Sequence, residues 1–294
     1  MRRAGLLAAA VAAMLVVAAC SRGQRPLRVG SKNFTEQVIL GEIAAQSLEK
    51  AGLKVERRLN LGGTFLCHQA LVSGELDLYP EYTGTALLAI LKGKPESDPG
   101  TVFARVAAEY ARRWNLVWAP PLGFENTFAL VMRGDDAKRL GISRISDLAA
   151  HPDLRLGFGY EFVERADGFA GLSADYGLHF TTRPAEMDLG LLYPALEQGK
   201  VDVVAGNSTD GLIAAMRLAV LEDDRRYFPP YQAAFVVRGA AWKDPRVRRA
   251  LEGLSRAISA DAMRAMNAAV DRDGKRPEAV AAQFLAERRE RGHP

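Results

Sequence analysis

A nine-residue pattern occurs twice in this 294-residue chain, and it limits the possible folds more than any other feature. Residues 70–78 read ALVSGELDL and residues 195–203 read ALEQGKVDV, and the same offset places Tyr82 opposite Asn207. Each copy is typical of a helix end, a glycine turn, a buried strand and a polar loop. Such units also recur by chance in α/β proteins. If the copies are equivalent, their loops face each other across a cleft, because α/β sheets bind ligands at the carboxyl ends of strands.

Short apolar segments alternate with helical periodicity along the rest of the chain. Asn33 followed by Glu36 predicts a capping box at the start of the first helix, which Gly52 ends. Strands are predicted at 27–30, 54–59, 76–79, 128–132, 154–158, 201–205 and 233–237, and further helices at 64–72, 189–198, 210–218, 245–258, 261–270 and 277–289. The rhythm predicts two α/β lobes with mainly parallel sheets and no low-complexity linker.

The first twenty residues have the pattern of a targeting segment. Arg2 and Arg3 precede an uncharged stretch, 4–19, that is short for a membrane span, and Cys20 follows small residues. This end resembles a bacterial lipobox, so we predict a lipoprotein signal peptide at 1–20, a lipidated Cys20 and a tether at 21–26. An ordinary secretory signal with a chance cysteine is the alternative. The predicted location is the periplasm or the cell surface, with the protein anchored to the membrane through Cys20.

Composition and motifs exclude several functional classes. The net charge is +4 and basic residues are scattered, which argues against a nucleic-acid partner. Apart from Cys20 the chain has one cysteine, Cys67, in an apolar run, and a buried inert thiol is expected there. Cys67 and His68 lack the spacing of zinc ligands, so no metal is assigned. No nucleophile elbow, phosphate-binding loop or zinc-protease motif is present, so we expect neither an enzyme nor a cofactor.

Aromatic residues stand in three predicted loops, represented by Tyr82, Phe128 and Tyr231. The face of an aromatic ring attracts a cation that cannot donate hydrogen bonds, such as a trimethylammonium group. Aromatic residues also dominate protein cores, so spacing alone leaves core packing open for each of them.

Seven segments of the chain resemble one family in order and over nearly the whole mature sequence: 30–37 (GSKNFTEQ), 61–64 (LGGT), 77–85 (DLYPEYTGT), 123–127 (GFENT), 165–168 (RADG), 208–211 (STDG) and 221–231 (LEDDRRYFPPY). These segments resemble the glycine betaine/choline/carnitine-binding proteins of osmoprotectant ABC importers. The resemblance implies an α/β type II periplasmic-binding-protein fold, in which two lobes form a hinged ligand cleft.

The resemblance also implies how the chain is divided and what it meets. Lobe 1 would comprise 27–125 and 232–294, and lobe 2 would comprise 126–231. The hinges would lie near 125–128 and 229–231. A monomer would close on a quaternary amine or zwitterion and dock on the permease subunit of an ABC importer. An enzyme on the same two-lobed fold, and a receptor for signalling rather than import, are the rival functions.

The family's ligand residues carry over by motif. Tyr82, Phe128 and Tyr231 would face the cation, and Lys32, Thr85 and Arg165 would hold a carboxylate. The predicted ligand-binding set is Lys32, Tyr82, Thr85, Asn126, Phe128, Arg165, Asn207 and Tyr231. The family often has tyrosine at the positions of Phe128 and Asn207, so one aromatic wall is missing. The implied solute is a quaternary-amine or zwitterionic osmoprotectant such as glycine betaine or choline, or a different betaine-like solute such as ergothioneine.

Overall fold

The computed structural model describes residues 25–291. The predicted signal peptide, Cys20 and most of the predicted tether therefore lie outside the described residues. Between 25 and 291, no helix is long and apolar enough to cross a membrane. The strands are β1 Leu27–Lys32, β2 Val55–Gly62, β3 Leu78–Tyr82, β4 Leu116–Trp118, β5 Phe128–Arg133, β6 Leu156–Gly159, β7 Ala185–Met187, β8 Val203–Asn207, β9 Leu218–Val220 and β10 Ala233–Arg238.

Helices cover both faces of the sheets that these strands form. They are α1 Thr35–Lys50, α2 Thr64–Ser73, α3 Thr83–Thr85, α4 Pro99–Trp114, α5 Gly134–Leu140, α6 Tyr160–Glu164, α7 Phe169–Tyr176, α8 Leu189–Glu197, α9 Leu212–Ala215, α10 Gly239–Trp242, α11 Pro245–Glu252, α12 Ala260–Asp271 and α13 Pro277–Glu290. A π-helical turn, Ala86–Ile90, continues α3, and a 3-10 helix spans Ile145–Ala150.

The described chain forms two five-stranded sheets of the same topology, one in each lobe. The order is β2-β1-β3-β10-β4 in the first sheet and β7-β6-β8-β5-β9 in the second. In each sheet one strand, β1 or β6, pairs in parallel with both neighbours. In each sheet another strand, β10 or β5, runs antiparallel to both neighbours. Four strands of each sheet therefore point the same way, as the prediction of mainly parallel sheets expects, and β10 or β5 is the one strand that runs against them. The direction of these two strands was not predicted; each is the strand that directly follows a crossing of the chain between the sheets.

The repeated sequence pattern is a structural repeat. Its aspartates, Asp77 and Asp202, occupy equivalent positions just before β3 and β8. Asp77 Oδ2 accepts from the backbone N–H of Arg28 at 2.9 Å, and Asp202 Oδ2 accepts from that of Arg155 at 3.0 Å. Both aspartates also form ion pairs with arginines. These carboxylates hold the strand starts together, far from the strands' carboxyl ends, so their role is structural.

The central antiparallel strands bury side chains on both faces. In β10, Phe235 and Val237 pack into one core cluster, and Ala234 and Val236 pack into another on the opposite face of the sheet. The alternation follows from the two-residue period of a strand, and burial on both faces explains the continuous apolar run. β5 divides its residues between two clusters in lobe 2 in the same way.

Several local predictions were wrong, among them the helix predicted at 245–258, which ends at Glu252. Helix α1 begins at Thr35 after an extended Phe34, and no side chain caps it, so Asn33 and Glu36 form no capping box. Glu36 turns instead toward the other lobe. The helix predicted at 210–218 ends after one turn, α9, and Leu218–Val220 becomes β9, because Arg217 adopts a left-handed backbone conformation (φ 54°).

The chain crosses between the lobes in two extended segments that lie side by side. The N–H of Asn126 donates to the carbonyl of Tyr231 at 3.1 Å, and the N–H of Ala233 donates to the carbonyl of Phe124 at 3.1 Å. Between them Glu125 and Gln232 form an antiparallel bridge. These short pairings join the two crossing segments to each other. Each lobe has core clusters of its own.

Cys67 is fully buried on α2, as the sequence predicted. Burial raises the pKa of the Cys67 thiol to about 12, so at pH 8 very little of the reactive thiolate is present.

In a Cys20→Ser chain, where Cys67 is the remaining thiol, we expect no reaction of the native protein with Ellman's reagent. The same chain unfolded in guanidinium should release about one equivalent of chromophore, because an exposed thiol titrates near pH 8.5. Full reaction of the native protein at the unfolded rate would contradict the buried placement.

Candidate functional site

A cavity of about 240 Å³ lies between the lobes at the carboxyl ends of their strands. All eight residues of the predicted ligand set line it: Lys32, Tyr82, Thr85, Asn126, Phe128, Arg165, Asn207 and Tyr231. Lys32, Tyr82 and Asn207 end β1, β3 and β8, while Asn126, Phe128 and Tyr231 belong to the crossing segments or adjoin them. Sites of this kind form where strand ends from two lobes converge.

Aromatic rings make up much of the cavity wall. The ring centroids of Phe128 and Tyr231 lie 6.3 Å apart, nearly at right angles, and Phe34 stacks on Tyr82 with centroids 6.4 Å apart. Gly84 allows the close approach of Tyr231, because a Cβ at Gly84 would lie 2.8 Å from the tyrosine ring. Several aromatic rings therefore line one cavity, and a surface of this kind attracts a cation that cannot donate hydrogen bonds.

Each cation in the wall already has a carboxylate partner. Lys32 Nζ donates to Glu81 Oε1 at 2.5 Å and to Thr64 Oγ1 at 2.9 Å, which leaves one of its three protons uncommitted. Arg165 Nε donates to Asp167 Oδ1 at 2.9 Å. Burial lowers the pKa of Arg165 and the Asp167 carboxylate raises it, with a net rise. Both side chains are held in position by their carboxylate partners, so they can offer N–H donors to an anionic group without reorganising.

The same cations also lie against aromatic rings. Lys32 Nζ is 5.2 Å from the centroid of the Tyr82 ring, and the guanidinium carbon of Arg165 is 5.1 Å from that of Phe128. A cationic solute and these side chains therefore use neighbouring parts of the same ring surfaces. A zwitterion suits this arrangement, because its positive end can meet aromatic surface while its negative end meets Lys32 or Arg165.

Glu36 accepts hydrogen bonds from residues of the cavity wall and of both lobes. Glu36 Oε1 accepts from Tyr82 Oη at 2.6 Å and from Asn126 Nδ2 at 2.8 Å. Glu36 Oε2 accepts from Thr209 Oγ1 of lobe 2 at 2.5 Å and from Asn267 Nδ2 on α12 at 3.1 Å. Burial raises the pKa of Glu36, and the four hydrogen bonds oppose that rise. One carboxylate thus orients an aromatic wall, a crossing segment and a loop of the opposite lobe.

The resemblance places Asn207 at a position often held by tyrosine, and the structure places it in the wall of the cavity. Asp210 accepts from the N–H of Asn207 at 2.8 Å and from Tyr193 Oη at 2.6 Å, and burial raises the pKa of Asp210 to about 6. A second cavity, of about 570 Å³, shares Asn207, Phe34 and Leu189 with the first. The small Asn207 side chain therefore stands on the boundary between two cavities.

The sequence reasoning missed other residues of the wall, including Phe34, Tyr160, Glu161 and Phe162. Phe34 lies inside a family segment that the sequence did show. Tyr160 is 50% exposed just after β6, and an aromatic residue at a strand end is a usable signal. Nothing in the spacing of Glu161 indicated that it reaches the other lobe. Among residues 25–291, no group of three His, Cys, Asp or Glu side chains is placed to hold a metal ion.

Two α/β lobes that enclose a small cavity of aromatic and charged side chains define a two-lobed solute-binding protein. The chain belongs to the OpuAC family, described as the substrate-binding domain of an ABC-type glycine betaine transport system, which matches residues 25–287. This membership confirms the family, the fold class and the class of function expected from the sequence. It also makes the chain a binding protein of the ABC transport class, not an enzyme.

Individual relatives agree with this assignment. The chain is 38% identical over 265 residues to an ergothioneine transport permease/ergothioneine-binding protein of Helicobacter pylori, with 89% of this chain and 47% of the relative covered. This chain therefore spans about half of that relative. It is also 38% identical over 273 residues to a glycine-betaine-binding protein of Pseudomonas aeruginosa, with 89% and 87% covered. The crystal structure of a glycine betaine/carnitine/choline ABC transporter protein has a TM-score of 0.72 at 33% identity, covering 90% of this chain and 98% of that one.

Proposed function

We propose that this protein captures a quaternary-amine or zwitterionic osmoprotectant by closing its two lobes, and delivers it to the permease of an ABC importer. The observation that carries the proposal is the convergence of the eight motif-derived residues on one inter-lobe cavity. In this proposal Tyr82, Phe128 and Tyr231 face the cation. Lys32, Thr85 and Arg165 hold the carboxylate.

The proposal includes a division of the chain. Lobe 1 is 27–125 with 232–294, lobe 2 is 126–231, and the hinges lie at 125–128 and 229–231. The two crossing segments support this, because a few residues at the ends of elements can absorb the rotation of one lobe against the other. Solute that contacts both lobes shifts the population toward the closed form, and we propose that a monomer acts in this way.

A larger betaine-like solute is the second candidate, and the wall at Asn207 favours it. A short amine needs only the 240 Å³ cavity, whereas a solute with an extra polar group can extend past Asn207 toward the 570 Å³ cavity. Asn207 can also donate to or accept from such a group. Titrations with glycine betaine, choline, carnitine and ergothioneine discriminate the candidates by their order of affinity.

Tyr82→Ala is expected to weaken binding of the preferred solute by about 10- to 100-fold, because it removes a cation–π contact and the apolar area of the ring. Isothermal titration calorimetry measures the dissociation constant. Phe65→Ala is the control, since Phe65 is 43% exposed and does not line the cavity. Equal affinity of the Tyr82→Ala and Phe65→Ala variants for the solute would show that Tyr82 does not contact it. The absence of binding of all four solutes by the unmodified chain would refute the proposed function.

We also propose that Cys20 is lipidated and anchors the protein to a membrane, in the periplasm or at the cell surface. Support comes from the order of positive charge, apolar stretch, small residues and cysteine at 1–20. Expression of the full-length chain should place it in the membrane fraction, and Cys20→Ser should release it to the soluble extract. An unchanged distribution would contradict the anchor.

A further inference from the structure

A carboxylate of lobe 2 reaches across the cleft and binds the start of a lobe 1 helix. Glu161, in the first turn of α6, accepts a short hydrogen bond through Oε1 from the backbone N–H of Thr64, the first residue of α2. Glu161 Oε2 accepts from Thr64 Oγ1 at 3.1 Å. The N–H groups at a helix start have no partner within the helix, and the helix dipole favours negative charge there. The Glu161 carboxylate thus provides the negative charge at the start of α2.

Gly63 makes this approach possible. A Cβ on Gly63 would lie 2.6 Å from Glu161 Oε1 and 2.8 Å from its carboxyl carbon. These distances are far below ordinary contact, so any larger residue at 63 must displace the carboxylate of the opposite lobe. The backbone of Gly63 is extended (φ −79°), a conformation that other residues adopt, so conformational freedom does not require glycine here.

The contact is joined to the proposed solute site. Lys32 Nζ donates to Thr64 Oγ1 at 2.9 Å, and that hydroxyl in turn donates to Glu161. Thr64 is completely buried between them. Lys32 and Glu161 both line the 240 Å³ cavity. A solute group at Lys32 therefore lies beside the contact that joins the lobes.

We propose that Glu161 is a closure latch: its bond to the start of α2 stabilises the closed form directly, and thereby slows the release of solute. This inference rests on the proposed capture by closure and adds a contact that the solute does not make. Because the latch forms only when the lobes meet, its loss accelerates opening and leaves the encounter with solute unchanged.

The test is stopped-flow kinetics on the full chain with the tightest-binding of the four solutes named above. Glu161→Gln keeps the shape of the side chain and removes its charge. The dissociation rate constant should rise about tenfold, as expected for a lost charge-assisted hydrogen bond, and the association rate constant should stay within about twofold. Glu164→Gln, an exposed glutamate on the same helix, should change neither. An unchanged dissociation rate in Glu161→Gln overturns the latch.

A double-mutant cycle tests the contact itself. Gly63→Ala should raise the dissociation rate about tenfold in the unmodified chain and less than about twofold in Glu161→Ala, where the clash is gone. Additive effects would overturn the proposal.

If the unmodified chain binds none of the solutes, small-angle scattering of the unliganded proteins tests the latch instead. A larger radius of gyration in Glu161→Ala supports the latch, and an unchanged radius refutes it, independently of the proposed function.

Discussion

Glu36→Ala is expected to lower the free energy of unfolding by about 3 kcal/mol, since it leaves several buried donors without an acceptor. It should also weaken solute binding by at least about a hundredfold. Tyr82, Asn126, Thr209 and Asn267 all donate to Glu36, and they belong to the cavity wall, a crossing segment and both lobes. Loss of the Glu36 carboxylate therefore changes both the orientation of the Tyr82 ring and the packing of the two lobes against each other. Urea unfolding and calorimetric titration measure the two effects.

Two further variants make the Glu36 result specific. Glu49→Ala removes a glutamate from the same helix, α1, where the side chain pairs with Arg57 at the surface, and its effect on stability should stay below about 1 kcal/mol. Glu36→Gln keeps the volume but replaces one acceptor by a donor, which must face Thr209 and Asn267 or Tyr82 and Asn126. It should lose affinity as well. Full affinity in both Glu36 variants would show that the network does not support the site.

Gly211→Leu is expected to reduce solute affinity by at least about a hundredfold while each lobe stays folded. Gly211 precedes α9 in lobe 2, and a Cβ there would lie 2.3 Å from the backbone nitrogen of Ala268 on α12 of lobe 1. The backbone of Gly211 is near the right-handed helical region (φ −67°, ψ −25°), so the side chain brings no local strain. The Cβ clashes with Ala268 of the other lobe, so the substitution destabilises the closed form.

Small-angle scattering and calorimetry check the Gly211 prediction. With saturating solute, the variant should keep the larger radius of gyration of an open protein, and its free energy of unfolding should change by less than about 1 kcal/mol. Gly100→Leu is the control, because Gly100 is exposed, lines neither cavity, and a Cβ there would come no closer than 3.5 Å to another group. Closure and normal affinity in Gly211→Leu would mean that the lobes close without contact between α9 and α12.

The repeat was the part of the fold that the sequence predicted best. It predicted equivalent positions for Tyr82 and Asn207, in the loops that follow two strands. They are equivalent and line the same cavity, but each is the last residue of its strand, β3 or β8, because both strands extend further than predicted. This succeeds because a glycine turn and a buried strand are local, periodic features. The direction of β5 and β10 was missed, because strand direction depends on where the chain crosses between lobes, and no local pattern records that.

The candidate site was predicted through motifs, and its gaps have a physical reason. Asn33 and Glu36 fit a capping box in spacing, but Glu36 finds four donors from distant parts of the chain. Those contacts outweigh a local cap, because a buried carboxylate needs several donors. Glu161 gave no signal for a similar reason. Its partner Thr64 is 97 residues away, and a pairing of that range has no local periodicity.

The position of β10 inside the first sheet has a consequence for biogenesis. The second sheet is built from one contiguous stretch of the chain, so β5 to β9 can assemble as soon as that stretch is available. In lobe 1 the inner position between β3 and β4 belongs to β10, which is synthesised more than a hundred residues after β4. Until β10 arrives, β3 has an unpaired edge, the kind of edge that invites wrong partners. The nascent N-terminal segment therefore has to be kept from aggregating until the last fifth of the polypeptide emerges.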